Sequence, residues 1–391
     1  MREETPKRKM KYAHYLLPTL FFMFVALFAG AQLAKADQAA SMLDSRPLAQ
    51  MPRFTLASAI SGDWMEAFGR YLTDQLWLRD DLVQLHSLLE SAQGKLEGGG
   101  VWFAEDGYLI AKNDVFSPIQ ATKYPINVTA VTEFSARHPG RVTLMVVPSP
   151  ANILSELLPF APPQIDENAM LDDLFAQAVL AGARVVDLRD AFNAQQNDYI
   201  YYRTDHHWTT TGGAYIAYGE FCRLRGIVPQ IPPAPLVEVP GFLGSNYVKS
   251  KAHNAQADLF SFYNIDTEMT VYRQLADGSM EVDFTGPLMD MSKQPGQDKY
   301  AAFLYGNNGY TEIEGFGTGS ILVIKDSYGN SFIPYLLQHY AKVCVMDLRA
   351  WTSPDTLINE KNYDEILVLY SFDAFTRDMF ANRMMDALQQ A

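Results

Sequence analysis

Four almost wholly apolar runs constrain the fold class of most of the chain. The runs Val142–Val147, Ile321–Ile324, Val343–Met346 and Ile366–Leu369 alternate with segments of helical periodicity. A strand that is covered on both faces has this composition, whereas a half-exposed strand alternates apolar and polar residues. Strands that alternate with helices are typical of a parallel sheet wound by helices on both faces. The sequence therefore predicts an α/β domain with a mostly parallel sheet over residues 125–391.

Two regions depart from this alternation. Residues 53–124 are predicted as a helical region followed by a hairpin, because a DG turn pair lies between two apolar runs near its end. Apolar residues recur there at helical spacing: Trp64, Phe68, Leu72, Leu76, Leu82, Leu85, Leu88 and Leu89. From about residue 232 to 318 the chain is rich in Pro, Gly, Asn and Asp and carries a second DG pair. We interpret this stretch as a β-rich insertion that covers one rim of the sheet.

Residues 1–36 combine a basic start with a long apolar run. The uncharged segment from Tyr12 to Ala34 is long enough to cross a bilayer as a helix, and it follows five basic residues, Arg2, Lys7, Arg8, Lys9 and Lys11. A small-x-small site ends at Ala36, so a signal anchor and a cleaved signal peptide are both open. Residues 37–52 are predicted as a linker. The sequence predicts a single-pass membrane protein with its bulk outside the cytoplasm, or a secreted one if cleavage follows Ala36.

Charge and cysteine content narrow the classes of partner and cofactor. The formal net charge is −14, and basic residues do not form a stripe interleaved with aromatics, so nucleic acid is not predicted as a partner. The two cysteines, Cys222 and Cys344, lack the spacing of a redox or zinc site, and the sequence leaves open whether they form a disulfide. We predict neither a cofactor nor a metal.

Two segments about 120 residues apart carry the residue types of an activated serine nucleophile. The first is TDHHW at 204–208, and the second is KDSYGN at 325–330. Ser327 directly follows a predicted strand, at the sheet edge where reactive groups gather in open α/β folds. Asp205, two residues before His207, can orient the imidazole so that its other nitrogen takes a proton from the serine.

Other interpretations of these residues stay open at this point. Ser327 alone is typical of a helix cap, and Asp205 or Thr204 could cap the helix that follows the motif. Asp205, His206 and His207 could also ligate a metal, although the other histidines show no ligand spacing.

The TDHHW motif, with IKDSYGNSF and the strand ends VVDLR and VMDLR, resembles the DHHW protein family of Gram-positive bacteria. That family is similar to the SGNH-type catalytic domains of the alginate O-acetyltransferase group, in which Asp and His precede Ser. The resemblance covers the chain from about Pro52 onward and implies an SGNH-like fold. Matched to the motif, Asp205 is the acid, His207 the base and Ser327 the nucleophile.

The resemblance leaves the oxyanion hole open, because the D-x-H spacing differs from the D-x-x-H of ordinary SGNH hydrolases. His206 stands where the acetyltransferases usually have another residue, and we predict that it faces substrate. Six further residues are candidates for substrate or oxyanion contacts, or for plain turn and packing roles: Asn152, Asn307, Asn308, Asn330, Arg349 and Tyr370.

The predicted function is an extracytoplasmic serine acyltransferase or esterase that moves an acetyl or similar group on a cell-surface polysaccharide through an acyl-serine. A transferase needs an acyl donor outside the cytoplasm, so the resemblance implies a membrane acyl-transporting partner. The alternatives are a non-catalytic carbohydrate-binding or assembly protein and a metallohydrolase.

Overall fold

The computed structural model describes residues 7–41, 43–44, 46–296, 298–352, 354–378 and 380–385. They form two compact units, Met1–Gln93 and Gly94–Ala391, called unit 1 and unit 2 below. Arg2, the first of the basic residues in the sequence pattern, lies outside the described residues.

Unit 1 is mainly helical. Its helices are α1 (Lys7–Ala34), α2 (Leu56–Ser61), α3 (Asp63–Asp74) and α4 (Arg79–Ala92), and its two short strands are β1 (Ala40–Ser41) and β2 (Arg46–Pro47). Within α1, the segment Tyr15–Ala34 is long and apolar enough to cross a membrane. The stretch predicted as a linker contains both strands, and its Leu43 and Leu48 are buried.

Unit 2 opens with a small antiparallel sheet of β3 (Glu97–Gly98), β4 (Val101–Phe103) and β5 (Leu109–Ala111). Nine helices described in it are α5 (Pro118–Arg137), α6 (Pro150–Ile153), α7 (Glu167–Leu180), α8 (Arg189–Ala194), α9 (Tyr215–Arg225), α10 (Ser245–Ser250), α11 (Gly329–Leu336), α12 (Pro354–Lys361) and α13 (Phe372–Arg377). A π-helical turn, Thr210–Ala214, leads into α9.

The main sheet of unit 2 has eight strands. They are β6 (Val142–Val147), β7 (Arg184–Val186), β10 (Glu268–Gln274), β11 (Met280–Pro287), β12 (Tyr310–Glu314), β13 (Ser320–Lys325), β14 (Lys342–Met346) and β15 (Glu365–Ser371). Their order is β11-β10-β12-β14-β13-β15-β6-β7, and β14 to β7 are parallel, whereas β11, β10 and β12 are antiparallel. The two remaining strands, β8 (Leu236–Phe242) and β9 (Asp258–Tyr263), form a separate antiparallel pair.

Both faces of the sheet are covered, as the apolar runs predict. In β13, Ile321 and Val323 enter one hydrophobic cluster, while Leu322 and Ile324 enter the other. A parallel strand packed in this way needs apolar residues on both faces. The predicted fold class is confirmed. The insertion differs from the prediction in one respect, because β10, β11 and β12 also extend the main sheet at one edge.

Candidate active site

The TDHHW segment is a closed loop that the fold holds at both ends. Tyr201 and Trp208 pair across its base, and the amide of Tyr202 donates to the carbonyl of His207. On one side, Asp258 of β9 accepts from the backbone N–H groups of Arg203 and Thr204, both at 2.8 Å. A loop held on both sides can present its side chains in one fixed orientation.

Trp208 joins this loop to the segment that carries the serine. Its indole is fully buried, and Nε1 donates to the carbonyl of Tyr328 at 3.0 Å and to the hydroxyl of Ser331 at 2.8 Å. A buried indole N–H needs such an acceptor, and here the acceptors flank the start of α11. The two motif segments therefore lie side by side.

Ser327 lies in the turn between β13 and α11, at the carboxyl end of a central parallel strand. The preceding Asp326 is buried, and its carboxylate accepts from the amide of Tyr328 and from the amide and hydroxyl of Ser371. Burial raises the pKa of Asp326. These three bonds fix the turn that presents Ser327.

Asp205, His207 and Ser327 form a hydrogen-bonded series. His207 Nε2 lies 2.7 Å from Ser327 Oγ, and His207 Nδ1 lies 2.5 Å from Asp205 Oδ1. Burial alone would raise the pKa of Asp205, but both histidines and the Ser245 amide outweigh it and hold this pKa well below its ordinary value. An ionised carboxylate orients the imidazole, which can then accept the serine proton.

The insertion supplies a ring that packs flat against the imidazole. The rings of Tyr300 and His207 are 3.7 Å apart between centroids and 8° from parallel. The Tyr300 hydroxyl donates to the carbonyl of Ser327 at 3.0 Å and lies 3.1 Å from the hydroxyl of Ser331. Tyr300 thus touches both the base and the serine segment, and no sequence pattern indicated it.

The insertion also holds the carboxylate of Asp205. The Ser245 amide donates to Asp205 Oδ2 at 2.7 Å. The backbone of Gly244 passes so close that an added Cβ would lie 2.2 Å from Asp205 Cβ, which only glycine avoids. Gly244 is the N-cap residue of α10 and Ser245 is its first residue, a pair that resembles any other helix start, so sequence reasoning missed them.

His206 lies beside the series rather than in it. Its side chain is 39% exposed, its Nδ1 lies 2.6 Å from the hydroxyl of Ser245, and its ring centroid is 3.8 Å from that of His207. Desolvation and the neighbouring His207 lower the pKa of His206. A neutral, half-exposed imidazole next to the base is suited to contact a substrate.

The same three residues could group around a metal ion, since donor atoms of Asp205, His206 and His207 lie within 4.8 Å of one another. However, both ring nitrogens of His207 are engaged, by Asp205 and Ser327, and Oδ2 of Asp205 accepts from Ser245. A metal would have to displace these bonds. The donor set therefore fits a serine site better than a metal site.

The candidate asparagines are occupied elsewhere. Buried Lys325 donates to Oδ1 of Asn330 at 2.5 Å and to Oδ1 of Asn307 at 3.0 Å, and Asn330 Nδ2 lies 3.3 Å from Asn307. Asn308 donates to the carbonyl of Leu304, and Asn152 donates to Asn168. The hydrogen bonds of these amides hold loops and a buried cation.

Arg349 and Tyr370 flank the same end of the sheet. The guanidinium of Arg349 pairs with Asp347, with Nε 2.8 Å from Oδ1, and Asp347 also lies 3.8 Å from the buried ammonium of Lys325. Tyr370 is buried, and its hydroxyl has no hydrogen-bond partner among the described residues. Arg349 thus serves an ion-pair network, and Tyr370 packs in the core.

Comparison with known families agrees with this geometry. The family model described as "DHHW protein" matches residues 183–346, which include all three members of the series. A second model, "SGNH hydrolase-like domain, acetyltransferase AlgX", matches residues 102–222. No curated protein sequence matches the chain.

Solved structures share the fold at low identity. A DHHW family protein from Eubacterium siraeum is 21% identical, with a TM-score of 0.60 over 73% of this chain and 95% of that one. Bacillus cereus PatB1 is 19% identical, with a TM-score of 0.55 over 72% of this chain and 98% of its own, and a second PatB1 structure carries a sulfonyl adduct. The resemblance to the DHHW family and to SGNH-like acetyltransferases is confirmed.

Proposed function

We propose that this chain, which resembles the DHHW family and has an SGNH-like acetyltransferase-type domain, is an extracytoplasmic serine acyltransferase or esterase. It would act on acetyl or similar small acyl groups of a cell-surface polysaccharide. The observation that carries the proposal is the 2.7 Å contact between His207 Nε2 and Ser327 Oγ, with Asp205 2.5 Å from the other ring nitrogen. That arrangement is the one an acyl-serine mechanism requires.

In the first half of the reaction, His207 accepts the proton of Ser327 as the serine oxygen attacks the acyl carbonyl. A bond forms between Oγ and the carbonyl carbon, the bond to the leaving group breaks, and the leaving group takes the proton from His207. In the second half, a sugar hydroxyl or water gives its proton to His207 and attacks the acyl-serine. The Oγ–carbon bond then breaks, and Ser327 regains its proton.

Four residues around Ser327 and His207 have supporting roles in this mechanism. Asp205 stabilises the imidazolium that forms in each half, and the Ser245 amide keeps the carboxylate facing His207. Tyr300 restrains the imidazole plane by stacking. The side chain of His206 is partly exposed beside His207 and would contact the acyl acceptor.

The substrate class and the location rest on two supports. The apolar segment Tyr15–Ala34 fits a membrane-spanning helix or a signal sequence, which favours a site outside the cytoplasm. One of the two matched family models is named for an acetyltransferase, which favours an acetyl group as the group that is moved. A transferase of this kind would receive its acyl group through a membrane acyl-transporting partner.

Labelling of Ser327 tests the proposal. The purified protein should release the chromophore from a chromogenic acetyl ester, and a sulfonyl fluoride should add one label that peptide mass analysis places at Ser327. Ser327→Ala should lose both, while Ser279→Ala, at an exposed serine in the β10–β11 turn, should keep both. A folded wild-type protein that shows neither turnover nor label would favour the non-catalytic carbohydrate-binding or assembly role instead.

Transfer to a soluble oligosaccharide separates the two enzymatic outcomes. With an acetyl ester as donor, a transferase should yield an oligosaccharide heavier by one acetyl group, whereas an esterase should yield free acetate only. Loss of either product in Ser327→Ala ties it to the proposed site.

A further inference from the structure

The helices α3 and α4 of unit 1 expose large apolar side chains, and the one residue described as buried in each of them is polar. In α4, Leu85 and Leu89 are 49% and 52% exposed, and Ser87 is the one buried residue described there. In α3 the one buried residue described is Asp74, while Met65 is 63% exposed. A soluble amphipathic helix would turn these sides the other way.

The exposed leucines of α4 form a continuous face. At about 100° per residue, the four exposed leucines of α4 fall within roughly a third of the helix circumference, and Ser87 lies on the opposite side. Leu78 directly precedes the helix as its N-cap residue and is also exposed. We call these residues the leucine face: Leu78, Leu82, Leu85, Leu88 and Leu89. The helix α2 adds exposed Leu56 and Ile60 in the same unit. A contiguous apolar surface of this kind marks a contact with a membrane or a protein.

The apolar helix α1 is tied to the chain immediately before the leucine face. The rings of Phe28 and Trp77 meet edge to face, 5.4 Å apart. Gln32 donates to the carbonyl of Gln75 at 2.9 Å, and its own carbonyl oxygen accepts from the amide of Trp77 at 2.7 Å. Lys35 adds a further contact to the Gln75 carbonyl at 3.3 Å. The last turns of α1 therefore belong to the folded unit.

Cleavage after Ala36 would remove these partners. The amide of Trp77 would lose its acceptor, the carbonyl of Gln75 would lose both donors, and Trp77 would lose its aromatic neighbour Phe28. Gln75 is fully buried with α1 in place, so cleavage would both break these contacts and expose the surface of unit 1 that α1 covers. Unit 1 is complete only with α1 attached.

We propose that α1 remains as a membrane anchor and that the leucine face lies in the outer lipid interface beside it. The occupant is lipid because Leu78 follows Trp77 directly, and Trp77 packs on a residue of the membrane-spanning segment. Trp64 and Tyr71 of α3 add residue types that gather at membrane interfaces. Asp63 and Glu66 lie in the first turn of α3, and Asp80 and Asp81 in the first turn of α4, where Asp81 falls at the amino end of the leucine face. These acidic groups favour zwitterionic over anionic lipid.

Depth measurement on the full chain in phosphatidylcholine nanodiscs tests the lipid assignment. An environment-sensitive fluorophore is attached to Leu85→Cys, to Leu88→Cys as a second site on the face, or to Leu180→Cys as the control. Leu180 of α7 is 88% exposed but lies in unit 2, and the native cysteines are buried. Both sites on the face should give blue-shifted emission that spin-labelled lipid quenches several-fold more strongly than at Leu180.

Two results overturn the lipid assignment. Equal quenching at the face and at Leu180, with equal reactivity toward a membrane-impermeant thiol reagent, means that the leucine face is in water. Protection from that reagent without quenching by lipid means that protein covers it. The mass of the intact protein from its native membrane tests the anchor, because residues 1–36 should be present, and a product that begins after Ala36 refutes retention.

Discussion

The two sides of the candidate site differ in how they contribute to it. The sheet side places Ser327 at the end of a buried parallel strand. The insertion side holds its neighbours, with Ser245 on the carboxylate of Asp205 and Tyr300 on the ring of His207. The position of Ser327 thus follows from a strand that the sequence predicts, whereas the orientation of Asp205 and His207 depends on contacts from the insertion that no sequence pattern predicts.

The largest effect should come from the reacting groups themselves. His207→Ala removes the proton acceptor of Ser327, so kcat for an acetyl ester should fall by about 10⁴-fold. Steady-state kinetics measures this loss, and circular dichroism confirms that the variant is folded. A variant that keeps more than a tenth of the activity would refute the role of His207 as base.

Gly244→Ala should show how firmly the insertion side sets Asp205. The new methyl group would overlap the side chain of Asp205, so we expect about 3 kcal/mol less folding stability together with a large loss of kcat. Denaturant unfolding measures the stability. Gly219→Ala is the control, since an added Cβ there meets nothing within 4 Å. Equal stability of the two variants would contradict the close approach at Gly244.

Two variants of Tyr300 test the contribution of its stacked ring separately from that of its hydroxyl. Tyr300→Leu removes the ring on His207, and we expect kcat to fall about 10- to 100-fold with little change in KM, because the imidazole is no longer restrained. Tyr300→Phe keeps the ring and should stay within about threefold of wild type. Equal losses in both variants would assign the effect to the hydroxyl instead.

The smallest expected effect concerns Glu167, a buried carboxylate that, unlike Asp205, has no histidine hydrogen-bonded to it among the described residues. Glu167, at the start of α7, accepts from the amide and hydroxyl of Ser149 and from Asn113. Burial raises the pKa of Glu167 to about 7, whereas burial of Asp205 is outweighed by its two histidines. The folded state thus keeps a proton on Glu167 that the unfolded chain releases near pH 4.

Folding stability should therefore decline as the pH rises from about 4 to about 7, by at most about 3 kcal/mol from this group. Glu167→Gln cannot titrate and should flatten that decline. Denaturant unfolding at a series of pH values measures it. Identical pH dependence in wild type and variant would show that folding does not raise the pKa of Glu167.

The fold and the proposed reacting residues could be predicted from sequence for physical reasons. Apolar runs such as Val142–Val147 predict strands covered on both faces, and Asp205 and His207 are close enough in sequence to form a local motif. Tyr300 and Ser245 were not accessible, because they approach the motif through long-range folding. The periodicity of α4 was visible as well, but a stripe of leucines is the same whether it faces a core or a lipid.

The asparagines show a different limit of sequence reasoning. Asn307 and Asn330 have the right chemistry for an oxyanion donor, but Lys325 ends a strand inside the core and its ammonium must be solvated by acceptors. Burial lowers the pKa of Lys325 to about 8. The buried ammonium of Lys325 needs hydrogen-bond acceptors, and Asn307 and Asn330 supply them. Spacing along the chain does not reveal this need.

The indole of Trp208 has a mechanical consequence. Its N–H donates to the carbonyl of Tyr328 and to the hydroxyl of Ser331, which lie in the segment that carries Ser327. Trp208 also directly follows His207, the proposed base, in the chain. Any motion that separates His207 from Ser327 must therefore also break the two hydrogen bonds that the Trp208 indole donates to the Tyr328 carbonyl and the Ser331 hydroxyl. Base and nucleophile should therefore move as one rigid body, and access to the acyl-serine should be controlled by motion of the surrounding loops instead.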